Sequence, residues 1–119
     1  MRPVVIERAS GLSFVVSQAE GPSEEESGVR WLGPRRGLLL SRPGPITMLG
    51  VNWPLGLVSL QDQPDGSALV IGYSVALPGL TVVPSVVGAT RLLELPASWG
   101  LTWSPWHEVV AIRSPRSNR

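Results

Sequence analysis

Apolar residues along this chain come in short runs cut by glycine and proline, with few polar stretches of any length between them. Runs of this size bounded by turn formers predict an all-β domain. Val4–Glu7 and Leu12–Ser17 read as strands, the second rich in β-branched residues. Ala19–Ser27 carries Pro22 and the successive Glu24, Glu25 and Glu26, and reads as a polar, mobile loop. Further strands are expected over Val29–Leu32, Gly37–Ser41, Ile46–Leu49 and Leu55–Leu60. They are separated by Gly33-Pro34, by Arg42-Pro43-Gly44-Pro45 and by Asn52-Trp53-Pro54. Gln61–Gly66 contains Pro-Asp-Gly, which pre-sets one φ and frees the next, and is read as a turn. Ala68–Ala76 is a long strand stopped by Pro78-Gly79. Leu80–Val83, Arg91–Leu95, Leu101–Trp103 and Glu108–Arg113 complete the set. No segment keeps a helical period over three turns. About ten strands with turn signals at this spacing predict a sandwich, jelly roll or small barrel. The expected organisation is a single all-β domain over 1–113 and a flexible basic tail over 114–119.

From Gly66 to Thr90 no side chain is charged. The stretch is too apolar for a solvated surface and too broken by Gly72, Pro78, Gly79, Pro84 and Gly88 for one helix. It is expected to be hidden by the rest of the domain or by another copy of the chain.

Composition points the same way. Of 119 residues 43% are hydrophobic and only 16% charged, with a mean hydropathy of +0.16, against about 25% charged in typical domains. Self-association is the expected means of covering the surplus. A net charge of +1 argues against nucleic acid held by bulk charge. Every basic residue is arginine, which GC-rich coding explains more simply than selection for forked contacts. The absence of cysteine excludes disulfides, thiolate nucleophiles and Cys-type zinc sites. No secretory leader is evident, and no stretch of about 18 apolar residues lacks a proline break. No membrane span and an intracellular location are therefore expected.

Candidate chemistry is sparse. His107 is the sole histidine; Glu108 beside it would point to the opposite face of a strand, so a structural or surface role is favoured over a catalytic triad. Glu24, Glu25 and Glu26 read as a solvated charge run, and Asp62 and Asp65 as turn caps. Neither a dinucleotide nor a P-loop motif is present. The five tryptophans, three of them at Trp99, Trp103 and Trp106, are expected in the core or an interface rather than on a stacking platform. No residue is assigned a catalytic, cofactor or metal role. Arg35, Arg36, Arg113, Arg116 and Arg119 are the candidate interaction residues.

The order of elements resembles that of the trimeric dUTPases, and more closely their non-enzymatic relatives from the adenovirus early region 4. Val4–Ser10 leads through the Glu-rich loop to Ser27-Gly28-Val29-Arg30-Trp31-Leu32. Pro43-Gly44-Pro45 precedes Ile46–Val51 and Trp53–Leu60. Gly72–Val83 falls where that family has its central signature, and Ser104–Ile112 where it has its closing strand. The resemblance implies a dUTPase-like fold, so that the architecture becomes a distorted jelly-roll or β-clip-like sandwich, and it implies a homo-oligomer of trimeric type. The chain departs from the family at its chemistry. The central stretch holds no acid to orient a water, Gln61-Asp62-Gln63 stands in place of the phosphate-binding triplet, and the Gly-rich terminal arm is missing. The implied protein is a catalytically inactive, viral dUTPase-like domain without cofactor, acting through protein partners such as host signalling proteins in the host cytoplasm or nucleus. Ser117-Asn118-Arg119 differs from the apolar terminus that would dock a PDZ domain. A small structural protein of a virion, a phage decoration or a tail is the alternative, and an enzyme built on His107 ranks last.

Overall fold

The computed structural model describes residues 1–79 and 82–115. Its strands are β1 (Arg2–Arg8), β2 (Ser13–Gln18), β3 (Leu38–Leu40), β4 (Leu55–Asp62), β5 (Ala68–Ala76), β6 (Arg91–Pro96) and β7 (Val109–Arg113). They close into a barrel in the order β1-β2-β3-β6-β4-β5-β7. The expected jelly-roll or β-clip-like, dUTPase-like sandwich of about ten strands is thereby corrected. β7 pairs with β1 through Ile6–Ile112 and with β5 through Ala68–Val110, which joins the two edges a sandwich would leave open. Alternating short strands serve either architecture, so the local pattern does not separate them.

Three expected strands are absent among the described residues. Val29–Leu32 falls largely in a 3₁₀ turn, Gly28–Trp31, and Leu101–Trp103 is irregular. Ile46–Leu49 contributes only an isolated bridge from Ile46 to Val83. Leu80 and Thr81, part of another expected strand, lie outside the described residues.

The loop expected over Ala19–Ser27 contains a helix, α1 (Gly21–Ser27). Its reason is topological. β2 and β3 run parallel, with Ser17 opposite Leu38, and a parallel pair requires a long crossover rather than a tight hairpin. Within that crossover Pro22 sits in the first turn, where its missing N–H costs little. The successive glutamates then favour the helical state.

Over β3, β6 and β4 the barrel wall buries both of its faces. Ile6, Leu39, Val58, Leu60, Val70, Leu93 and Val110 fill the interior, joined by Trp103, against which the edge of Phe14 packs at 6.2 Å between ring centroids. On the outer face of β3, β6 and β4, Leu38, Leu40, Leu92, Leu55 and Leu57 form a second cluster with Val29, Ile46, Met48 and Val51. A strand covered on both sides reads as a continuous apolar run, which is why β3 is simply Leu38-Leu39-Leu40. The crossover and the segment following β3 are the cover of this second face.

At one rim, Arg8 donates through Nε and Nη2 to the two carboxylate oxygens of Glu108 and lies 4.0 Å from the centre of the Trp103 ring. This ties the end of β1 to the residue before β7. Among its described residues the charge-free run is only partly hidden by the domain. Its first half builds β5, but Leu77, Val82 and Val87 are exposed, the last at 96%.

Candidate functional site

The feature of this fold that carries chemistry lies in β6. Its sequence, Arg91-Leu92-Leu93-Glu94-Leu95-Pro96, alternates across the wall: Leu93 and Leu95 point into the barrel, Leu92 and Glu94 outward. Glu94 stands in register between Leu38 on β3 and Leu57 on β4. The crossover closes over it, leaving the residue 3% exposed.

Gly28 is the crossover residue beside the carboxylate. It follows α1 with φ of +61°, and a Cβ there would lie 3.6 Å from Glu94 Oε1. A side chain at this position would be strained by its backbone, although the 3.6 Å separation from the carboxylate is an ordinary contact.

Glu25 and Arg42 complete the polar group. The Ser41 amide donates to Glu25 Oε1 at 2.8 Å, and Arg42 Nη2 donates to the Glu25 carbonyl at 3.0 Å. These bonds clamp α1 to the chain leaving β3. Four side-chain atoms among the described residues are buried without a hydrogen-bond partner, and apart from Trp53 Nε1 they belong to this group: Glu25 Oε2, Arg42 Nε and Glu94 Oε1. Such atoms are uncommon in folded proteins because each forfeits its hydration without replacement.

All three residues line one cavity of about 220 Å³ between the outer wall and the crossover. The rest of the lining is mostly apolar, including Val29, Leu40, Ile46, Val51 and Leu55. Arg30 also lines it, its guanidinium donating to the carbonyls of Ser27 and Glu26. Burial pushes the Glu94 carboxyl up to about 7 from an ordinary 4.5. The Arg42 charge opposes that rise, Glu25 reinforces it and the Val29 amide opposes it.

The residues singled out from sequence lie elsewhere. Arg35 and Arg36 are exposed in the turn before β3, and Arg113 is exposed with its Nε 3.7 Å from Glu7. Arg116 and Arg119 lie outside the described residues. His107 is exposed, its backbone N–H donating to the Ser104 carbonyl at 3.1 Å. Asp65 caps its turn, accepting from the Ser67 hydroxyl and amide, which hold its carboxyl below the ordinary value. Asp62 instead pairs with Arg91 at 3.0 Å. Glu25 is not part of a freely solvated run, since one oxygen is bonded to Ser41 and the other is buried. Trp103 is in the core, whereas Trp31 and Trp106 are exposed.

Sequence reasoning passed over Glu94. The available signal was a lone acid in step with Leu92 on a strand otherwise made of leucine. Among the described residues no group of three or more His, Asp or Glu could hold a metal ion, and no helix is long and apolar enough to cross a membrane.

No known protein family matches the chain, and no curated protein does. Among solved structures it is similar to a protein of unknown function from Novosphingobium aromaticivorans, with a TM-score of 0.57 and 19% identity. The match covers 93% of this chain and 83% of that one. At this identity the likeness bears on the fold alone.

Proposed function

We propose that the protein is a non-catalytic binding domain that holds a small molecule in the cavity between the outer barrel wall and the crossover. One observation carries this reading. Three buried polar atoms without partners, on Glu25, Arg42 and Glu94, line a single cavity whose remaining walls are largely apolar. Ligand sites combine an apolar lining with a few convergent polar groups in this way. The lining hydroxyls support binding over covalent chemistry: Ser27 Oγ donates to the Ser23 carbonyl, and Thr47 Oγ1 accepts from the Leu49 amide. Neither is paired with a base that would activate it.

The test is a fragment screen by NMR on the full chain and on Thr47→Trp, which narrows the mouth of the cavity at an exposed lining position. Fragments are expected to shift the Val29 and Val51 amides and to lose binding in the variant while its melting temperature is unchanged. Fragments that bind equally well to Thr47→Trp would refute the assignment.

Self-association is a second reading, favoured by the exposed Leu77, Val82 and Val87 of the charge-free run. Sedimentation equilibrium is expected to show concentration-dependent dimers or trimers that Val87→Asp disperses. A monomer at every concentration would exclude it.

A further inference from the structure

We infer that the cavity takes a small organic cation, an ammonium or amidinium head on an apolar body, with the head seated against Glu94 and Glu25. This rests on the binding reading above and names its ligand class.

The first support is the charge count. The ionisable groups lining the cavity are Glu25 and Glu26 from α1, Arg30 from the 3₁₀ turn, Arg42 from the segment after β3 and Glu94 from β6. With all of them ionised the lining carries one surplus negative charge. The neighbours of Glu94 on β3 and β4 are Leu38 and Leu57, so the wall adds no cation to Arg42, whose single charge faces both Glu94 and Glu25. Two carboxylates that share one counter-charge away from water are costly. A monovalent cation makes the ionised cavity neutral.

The second support is the inventory of free atoms. Two carboxylate oxygens await donors, and one guanidinium nitrogen awaits an acceptor. An ammonium or amidinium has several N–H groups to offer both carboxylates. An anion would meet two carboxylates and a single donor. A bare metal ion fits poorly, because the lining brings no set of three acidic or histidine ligands together among the described residues and is otherwise largely apolar.

The third support is proton linkage. With the Glu94 carboxyl near 7, about half of the empty protein has the acid protonated at neutral pH. A cation that binds the ionised form must displace that proton, so its affinity rises as the acid ionises.

Three probes of similar shape separate the possibilities by titration calorimetry on the full chain: benzamidine as cation, benzamide as neutral amide and benzoate as anion. Benzamidine is expected to bind best, and roughly tenfold more tightly at pH 8 than at pH 6, the change in ionised Glu94 for a midpoint near 7. In Glu94→Gln its affinity is expected to fall and to lose this pH dependence. n-Butylamine and an end-capped lysine peptide distinguish a free amine from a partner's side chain. Binding of either that depends on Glu94 supports the cationic head. Tighter binding of benzamide or benzoate, lost in Thr47→Trp, would overturn the cation while leaving the cavity as a binding site. Benzamidine binding that is equal at the two pH values would also overturn it.

Discussion

Replacing Glu94 by glutamine keeps the shape of the side chain and removes its proton. In the native protein the carboxyl titrates near 7, and in the unfolded chain near 4.5. Between those values the folded state holds a proton that the unfolded state has released, so stability falls as pH rises through this window. A rise from 4.5 to about 7, at about 1.4 kcal/mol for each pH unit, amounts to about 3 kcal/mol in full. At pH 5 about a quarter of it is already present, and at pH 8 nearly all, so the change between the two is about 2–3 kcal/mol. Glutamine has no such dependence. Urea denaturation of the two proteins at pH 5 and pH 8 isolates Glu94, because all other titrating groups are common to both. The native protein is expected to lose about 2–3 kcal/mol more than Glu94→Gln on going to pH 8. Parallel changes in the two proteins would refute the claim that this carboxyl is buried without adequate compensation.

The remaining predictions concern the frame around the site. Gly37→Ala would place a Cβ 2.8 Å from side-chain atoms of both Val16 and Leu95. It is expected to cost about 1–3 kcal/mol in denaturant melts, and an unchanged midpoint would contradict that packing. Arg8→Ala removes the forked pair with Glu108 and the contact over Trp103. A loss of about 1–3 kcal/mol is expected by the same measurement, with Glu108→Gln losing less. Leu93→Ala opens a void in the barrel interior at a side chain with 0% exposure. It is expected to cost about 2–5 kcal/mol by calorimetry while ligand contacts on the outer face persist.

What was legible in the sequence was local. β5 is found over Ala68–Ala76 as expected, because a long apolar run is stopped by Pro78-Gly79. The all-β class follows from the same texture. Barrel closure was not legible, since the pairing of β1 with β7 joins residues at opposite ends of the chain and leaves no mark in either strand alone. Nor was the parallel β2–β3 pair, which turns a polar segment into the crossover helix. With that helix misread as a loop, Glu25 looked solvated and nothing was expected to cover Glu94. The three acids of α1 drew attention as a run, whereas only one of them reaches the cavity with a buried oxygen. The isolated acid in β6 mattered more, because strand alternation already put it on the same face as Leu92.

The central claim is that Glu94 is a buried, titratable carboxyl to which a cationic ligand couples. Its most direct test is the titration of the Glu94 side-chain carbon by 13C NMR, with and without saturating benzamidine. A midpoint near 7 in the free protein, moved to lower pH by the ligand, is the predicted result. A free-protein midpoint near the ordinary 4.5, or one that benzamidine leaves in place, would contradict it.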